Sequence, residues 1–375
     1  MVRFARLRGN MAFTQAPPFS RDPKGSASSL QKSQMPSDIA HPVSVPFTTE
    51  EVARRFVQFR PSVPTPLWQC ELLVERSHRV GPINEEPKPG GPMTSLALLN
   101  RPDPSCDLEI LAQWLDAEID PADWLDLWLA QQKITPISVK RVGTLSGHIG
   151  DVIGSWTIDG VQWLGRFFCL KAGPRLAMLW FRARAADYPR VADDFFLSIA
   201  TFSFVDESPG PLAEKVRWVT NSLPIGWRVA IPVSWAVVSE PASPQCASFQ
   251  ANLLSSATPP VLLGKLSYAV TSADQATTHE EALAKAIAAV SEAGVKLSSQ
   301  RIVSEKPSPP FSESWLVFAG ADIGGQAGEF RCRIMRHPRV WVMAVVLSVD
   351  AASSPQAWMR AMRLLNVATS TIEFT

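Results

Sequence analysis

The sequence lacks the features that mark membrane-spanning, secreted or nucleic-acid-bound proteins. Its longest apolar run, Val340 to Leu347, is far too short to cross a bilayer as a helix. The net charge is only +1, which argues against attachment to nucleic acid by general electrostatics. The first eight residues include basic side chains, but no apolar segment follows them, so no secretory signal is predicted. We therefore expect a cytoplasmic protein with no integral membrane segment and no nucleic-acid partner.

Cysteine is scarce, and its spacing excludes the common cysteine-based sites. No Cys-x-x-Cys pair occurs, so neither a zinc knuckle nor a thioredoxin-type pair is supported. We interpret the cysteines as small buried apolar residues in a reducing compartment, with a disulfide or a reactive thiol as the alternative. The five cysteines are Cys70, Cys106, Cys169, Cys246 and Cys332.

Motifs for catalysis and for cofactor binding are also missing. The five histidines show no metal-ligand spacing, and no Gly-x-Ser-x-Gly elbow occurs. The glycines between Gly143 and Gly154 lack the Lys-Ser/Thr of a phosphate loop, so we interpret them as hairpin turns. His279, followed by two glutamates, is interpreted as a helix start. We therefore predict no cofactor, no metal and no catalytic residue, although a triad could still assemble from distant positions.

What the sequence does contain is a segment that occurs twice. Gly-Arg-Phe-Phe-Cys at Gly165–Cys169 matches Gly-Glu-Phe-Arg-Cys at Gly328–Cys332. Each copy continues with Pro-Arg, an apolar strand, a helix and a closing Thr-x-x-Phe. A Ser-Trp dipeptide precedes each copy, ending at Trp156 in the first and at Trp315 in the second. This pattern predicts a duplicated supersecondary unit.

The repeat organises the chain into a tail, two domains and a linker. Residues 1–50 are rich in Pro, Ser and Gln, and we predict a disordered tail there. The first domain is expected at 51–205, a polar linker at 206–215 and the second domain at 216–375. Each half is predicted to contain strands, a helix, a meander of strands and a closing helix. This order indicates an α+β fold with a mainly antiparallel sheet packed by helices.

Local signals predict where several helices begin. Thr48 with Glu51 forms a potential capping box, and Asp120 before Pro121 resembles an N-cap followed by a proline in the first turn. Thr278 is predicted to cap a further helix, which should stop at Gly294.

A turn motif in the second half carries a resemblance to a known family. Leu-Pro-x-Gly-Trp at Leu223–Trp227, the following Pro232-x-x-Trp235 and the closing Thr-x-x-Phe resemble PsbP-like proteins. That family includes photosystem accessory proteins, a Ran-binding nuclear import factor and the Eag-type chaperones of bacterial type VI secretion. The resemblance implies two tandem α/β/α sandwich domains and a binding function. Eag-type chaperones act as pairs of such domains that shelter apolar client segments, and a tandem would supply both in one chain.

One sheet face of the first domain is the predicted partner site. Alternation along the strand from Leu176 to Arg184 separates two faces, and we expect one of them to be apolar with arginines at its edge. The equivalent outer positions in the second domain are charged: Glu329, Arg331 and Arg333. The alternative is that a helix or the other domain covers this face. The predicted partner-binding residues are Arg166, Phe168, Leu170, Met178, Trp180, Arg182 and Arg184.

These patterns favour a non-enzymatic adaptor or chaperone that shelters an apolar client segment on the first domain's sheet. A secretion-associated chaperone is the specific form that the resemblance implies. Two alternatives stay open: an enzyme or small-ligand-binding protein with a site between the domains, and a structural subunit of a larger complex. From Asp107 to Asp126 seven acids occur with no base. This run could attract a basic client, or it could be a solvated face.

Overall fold

A computed structural model describes residues 46–375, except 64, 82–85, 145, 207–209 and 277. Most of the predicted tail therefore lies outside the described residues. The described chain divides into two compact units. The N-terminal unit extends to Asp116 and continues as Pro121–Ala213, and the C-terminal unit combines Glu214–Thr375 with Ala117–Asp120. In the described part, no helix is both long and apolar enough to cross a membrane.

The N-terminal unit consists mainly of long antiparallel strands. Its elements are α1 (Thr49–Arg55), β1 (Phe56–Phe59), β2 (Cys70–Glu75), β3 (Arg79–Val80), β4 (Thr94–Pro102), β5 (Ser105–Trp114), α2 (Pro121–Gln131), β6 (Thr135–Thr144), β7 (Gly147–Ile158), β8 (Val161–Ala172), β9 (Arg175–Arg184), α3 (Tyr188–Ala200) and β10 (Ser203–Phe204). The large sheet has the order β3-β4-β5-β9-β8-β7-β6, and a small sheet has the order β1-β2-β10.

The C-terminal unit has a similar set of elements. They are β11 (Val216–Asn221), β12 (Trp227–Pro232), β13 (Ala236–Ser239), β14 (Cys246–Leu254), β15 (Leu262–Ser272), α4 (His279–Glu292), β16 (Val295–Leu297), β17 (Arg301–Glu305), β18 (Glu313–Ile323), β19 (Gln326–Arg336), β20 (Val340–Val349), α5 (Pro355–Ser370) and β21 (Glu373–Phe374). The large sheet has the order β13-β14-β15-β20-β19-β18-β16, with β17 also paired to β18, and the small sheet has the order β11-β12-β21.

When the strands of each large sheet are numbered in chain order, the two sheets have the same order of neighbouring strands. The described strands of both sheets pair with one another antiparallel, and the predicted α+β class is confirmed. The two large sheets differ at one edge. There the N-terminal unit has the single ten-residue strand β6, while the C-terminal unit has β16 and β17, of three and five residues.

The helix starts follow the local capping signals. Thr48 accepts a hydrogen bond from the Glu51 N–H while the Glu51 carboxylate accepts one from the Thr48 N–H, which completes the predicted capping box. Helix α2 begins at Pro121, as predicted. Thr278 caps α4, and Gly294 just beyond that helix has the positive φ of +82° that glycine adopts without strain.

The repeated glycines occupy comparable environments. A Cβ on Gly165 would lie 2.7 Å from the Phe181 carbonyl oxygen and 2.8 Å from the Trp156 ring. A Cβ on Gly328 would lie 2.6 Å from the Ser348 carbonyl oxygen and 2.9 Å from Ile323. In both repeats a large side chain and a neighbouring backbone therefore approach a glycine too closely for any other residue.

The Ser-Trp dipeptides, in contrast, are not equivalent, and that part of the predicted repeat is wrong. Trp156 pairs with Trp163 beside the β7–β8 turn, whereas Trp315 pairs with Ile334 at the far end of β18. The side chain that covers Gly328 as Trp156 covers Gly165 belongs to Ile323. Identical dipeptides at different distances from a turn cannot occupy the same place in a hairpin.

Candidate functional site

The large sheet of the N-terminal unit has a helix on each face. The ring of Phe181 lies 4.6 Å from that of Phe195 in α3, and we call this side the α3 face. The ring of Trp180 lies 5.4 Å from that of Trp128 in α2, and we call this side the α2 face. Residues directly opposite each other on paired strands share a face, so the register assigns every neighbour to one of the two.

This register divides the predicted partner-binding residues between the two faces, which corrects the single face expected from the sequence. Arg166 pairs with Phe181 and Phe168 with Leu179, so these residues and Leu170 lie on the α3 face. Phe167 pairs with Trp180 and Cys169 with Met178, while Arg182 is opposite Gly165. The α2 face therefore carries four of the seven, namely Met178, Trp180, Arg182 and Arg184.

On the α2 face most of the predicted residues are covered. Met178 is fully buried, and Trp180 is 5% exposed within an aromatic cluster that includes Trp128, Trp156 and Phe167. The Arg182 guanidinium lies 4.8 Å from the Trp180 ring centre, and its Nε is 2.9 Å from the Asp107 carboxylate. These three side chains belong to the interior and its rim, and Arg184 alone among the four is exposed.

On the α3 face the central charged group is buried and paired. Arg166 is 2% exposed, and its Nε and one Nη donate to the two carboxylate oxygens of Asp151 at 2.9 and 2.7 Å. Its guanidinium also lies 5.3 Å from the Phe196 ring centre. Among the described residues the remaining Arg166 nitrogen has no hydrogen-bond partner. A buried bidentate pair of this kind fixes the position of β8 on β7 rather than presenting an arginine to a partner.

Beside this pair an apolar strip remains partly open to solvent. Phe168 and Leu170 alternate along β8, and Ile149 on β7 pairs with Val142 on the edge strand β6. Phe168, Leu170 and Ile149 are half-buried, and Val142 is 45% exposed. We define these four residues as the apolar strip. The sequence identified Phe168 and Leu170, but it missed Ile149 and Val142, whose place depends on the β6–β7 register.

The matching positions of the C-terminal unit are closed by partners within that unit. Arg331 replaces Phe168 in the repeat, and its guanidinium lies 5.3 Å from the Trp358 ring centre of α5. Arg333 replaces Leu170, donates to Thr369 at 2.8 Å and pairs with Glu305 at 3.0 Å. The predicted contrast between an apolar and a charged face is therefore present at these two positions, and the charged side chains are engaged by their own unit.

The acidic run is not an open acidic surface. Asp107 pairs with Arg182, and Asp123 and Asp126 both pair with Arg141. Within the C-terminal unit, Glu118 is 2% exposed and accepts a hydrogen bond from the Arg363 Nε at 2.8 Å. Four of the seven acids are thus neutralised locally, which removes most of the charge that could have attracted a basic client.

The structure places one cysteine close to a histidine, which the order of residues did not suggest. The Cys106 Sγ lies 3.9 Å from the His78 Nε2. Burial raises the pKa of the Cys106 thiol to about 12, and burial lowers the pKa of His78. A nucleophilic pair needs the opposite shifts, because the thiolate and the imidazolium must coexist near neutral pH. The pair therefore behaves as two neutral packing groups.

The other cysteines fit the predicted role of small buried residues. All five are free thiols, and Cys246 alone among them is only partly buried. Burial raises the pKa of Cys70 and of Cys332 to about 12. In the part of the chain that the structure describes, no three His, Cys, Asp or Glu side chains group closely enough to hold a metal ion.

Two of the glycines interpreted as hairpin turns have another role. Gly150 and Gly154 lie inside β7, not in turns. A Cβ on Gly150 would lie 3.1 Å from the Ala122 backbone in α2, and one on Gly154 would lie 2.7 Å from Ile134. These glycines let α2 and the segment after it lie close against the sheet.

Comparison with known proteins gives only distant structural likenesses. Neither a family profile nor a curated protein matches the sequence. Cyanobacterial PsbP (CyanoP) from Synechocystis is 11% identical, with a TM-score of 0.30, and covers 46% of this chain and 99% of its own. LpqN of Mycobacterium tuberculosis, involved in cell envelope biogenesis, is 14% identical, with a TM-score of 0.28, over 42% of this chain and 96% of its own. The T6SS immunity protein TplEi from Pseudomonas aeruginosa is 10% identical, with a TM-score of 0.22, over 80% and 97%. Likenesses this distant carry no argument about function.

Proposed function

We propose that this protein is a non-enzymatic adaptor or chaperone, and that it shelters an apolar segment of a protein partner on the N-terminal unit. The observation that carries the proposal is the apolar strip, which runs from the half-buried Phe168 to the exposed Val142. Partly exposed apolar side chains in a row are typical of protein interfaces. The two units are further proposed to be duplicated PsbP-like α/β/α sandwiches, which the shared strand order and the helix on each face of the N-terminal sheet support.

The contrast with the C-terminal unit argues that the strip is not a requirement of the fold. That unit has the same strand order and fills the matching positions with Arg331 and Arg333, held by Trp358 and Thr369. An open apolar surface therefore needs a reason specific to the N-terminal unit. Contact with a partner supplies that reason, because a partner removes the exposed apolar area from water.

The proposal is tested by crosslinking at the strip. A photoreactive phenylalanine analogue placed at Val142 should capture one partner in the host cell, through an apolar segment of that partner. The matched control is Val303 of β17, which is 40% exposed on the corresponding edge of the C-terminal unit and should not capture the same protein. Capture of the same proteins at both positions, or of none at Val142, would contradict the proposal.

A charge substitution gives an independent test. Val142→Asp removes a side chain whose burial against the partner should contribute about 1–2 kcal/mol, so the Kd should rise roughly ten-fold or more. Val303→Asp should leave binding unchanged. Because both valines are exposed, neither substitution should unfold the protein, and circular dichroism provides the control. Equal binding by the Val142→Asp protein and the unmodified protein would exclude the strip as the site.

A further inference from the structure

The N-terminal unit leaves one long sheet edge open. Strand β6 has ten residues, and every one except Ser138 is exposed. Its register with β7 shifts between Pro136 and Ser138 and is regular from Ser138 to Thr144, so this regular part is the edge considered below. In the described part of the chain, the other outer strands of the two large sheets are short: β3, β13, β16 and β17 have two, four, three and five residues. Short outer strands protect a sheet from pairing with another chain, and a long one presents a row of free backbone groups.

The side chains of β6 specify what could pair with it. Val139 and Val142 are 52% and 45% exposed, so apolar contacts are available at two points. Arg141 already pairs with Asp123 and Asp126 on the α2 side. Lys140 is exposed on the α3 side, opposite Asp151, and in the described part of the chain it makes no ion pair, while Asp151 pairs with Arg166. The edge therefore carries an available positive charge beside the apolar strip.

A second copy of this chain fits the edge poorly. Strand β6 contains no acidic residue, so in a symmetric pair of β6 strands Lys140 would find no acidic partner on the opposing strand, and a register centred on Lys140 would place the two lysines directly opposite each other. Like charges on directly opposed strand positions destabilise the pairing. An added strand with an acidic residue opposite Lys140 would instead form a cross-strand ion pair.

We infer that the partner adds an antiparallel strand to β6. From its N-terminal end, the sequence of this strand is an apolar residue, any residue, an acidic residue and an apolar residue. The two apolar residues would lie opposite Val142 and Val139, and the acidic residue would lie opposite Lys140. Main-chain hydrogen bonds to the edge would provide affinity, and the alternate side chains would provide specificity. The inference rests on the proposed function, since it names how the sheltered segment is held.

Synthetic peptides test the charge pattern directly. The probe is a fluorescently labelled Thr-Val-Thr-Glu-Val-Thr peptide, and the matched control replaces its glutamate with lysine. Fluorescence anisotropy should show the glutamate peptide binding at least ten-fold more tightly than the lysine peptide, and Lys140→Glu should reverse that order. Equal binding of the two peptides, or no binding of either at about 1 mM, would overturn the inference.

Proline substitutions test whether the edge backbone takes part. Neighbouring residues in an antiparallel strand direct their N–H groups to opposite sides, so either Val139 or Lys140 directs its N–H away from β7. Val139→Pro and Lys140→Pro are therefore compared with Val139→Ala and Lys140→Ala. The proline variant that keeps its thermal stability should bind the glutamate peptide at least ten-fold more weakly than its alanine control.

Different results would exclude strand addition at β6 and partner binding at the apolar strip. If that proline variant binds the peptide like its alanine control while Val142→Asp still weakens binding of the partner identified by crosslinking, strand addition is wrong and the apolar strip stands. If Val142→Asp leaves the Kd of that partner unchanged, the proposed function fails. If both proline variants unfold, the preference between the glutamate and lysine peptides decides the matter.

Discussion

The buried Asp151–Arg166 pair provides the sharpest test of how the N-terminal unit is held together. Asp151→Ala would leave the Arg166 guanidinium 2% exposed, without its carboxylate and with one nitrogen that already lacks a partner among the described residues. Removing one member of a buried ion pair typically costs about 3–5 kcal/mol, because the other charge stays buried and uncompensated. At about 2–4 °C per kcal/mol for a unit of this size, the melting temperature of the N-terminal unit should fall by about 6–20 °C.

The measurements are a thermal melt for the melting temperature and a urea titration for the free energy of unfolding, both followed by tryptophan fluorescence and circular dichroism. If the two units unfold in separate transitions, the one that moves in Asp151→Ala is assigned to the N-terminal unit and the other serves as an internal reference; if they unfold together, the shift of the single transition gives the cost. Glu373→Ala is the matched control, because Glu373 pairs with Arg228 while both side chains are about half exposed, and such pairs contribute about 0–1 kcal/mol. Replacing both buried partners, as Asp151→Leu with Arg166→Met, should recover most of the loss. A cost below about 1 kcal/mol for Asp151→Ala would refute the argument that burial makes this pair essential.

Other predictions concern the glycines and the thiols. Gly165→Ala and Gly328→Ala should each lower the free energy of unfolding of their unit by about 1–3 kcal/mol in urea titrations. Gly143→Ala is the control and should have little effect, because a Cβ added there would lie 3.8 Å from the nearest atom. Equal costs for all three substitutions would contradict the argument that the backbone and a side chain approach Gly165 and Gly328 too closely. Cys246 should react first with a thiol reagent at pH 8, since Cys70, Cys106 and Cys332 are buried with pKa values near 12. These three thiols keep their protons in the folded protein but ionise near pH 9 when unfolded, so their contribution to stability is present below pH 9 and declines as the pH rises towards 12. Cys106→Ala should reduce the fall in the free energy of unfolding by up to about 1.4 kcal/mol per pH unit between about pH 9 and pH 12. If urea titrations show the same pH dependence with and without Cys106, the raised pKa of this thiol is contradicted.

Features encoded within a few residues could be predicted from the sequence, whereas strand register could not. The capping box at Thr48, the start of α2 at Pro121 and the end of α4 before Gly294 all follow from neighbouring residues. Alternation within β8 correctly separated Phe167 from Phe168. Assigning β8 and β9 to common faces required their relative register, and an error of one residue moves a whole strand to the other face.

The two-residue turn after Ala172 contained the missing information. Because Ala172 pairs with Arg175, every later pair is fixed, including Arg166 with Phe181. Given that turn length, the sequence could have placed Arg166 and Trp180 on opposite faces. The coverage of Trp180 by α2 could not have been deduced in this way, because the contact with Trp128 joins residues far apart in the chain. For that reason Trp180→Asp would disrupt the interior and cannot serve as a surface probe, whereas Val142→Asp can.

The difference between the two units supports the proposed function more strongly than any single residue does. The C-terminal sheet is completed with short outer strands, β16 and β17, and with Arg333 engaged by Thr369 and Glu305. A sheet of this strand order can therefore end in short outer strands, and its own residues can cover the positions that match Phe168 and Leu170. The N-terminal unit does neither at β6, a long exposed strand that includes Val142 and Lys140, and Lys140 makes no ion pair with any described residue. An open edge invites unwanted association, and the partner strand proposed above would cover the edge in this unit.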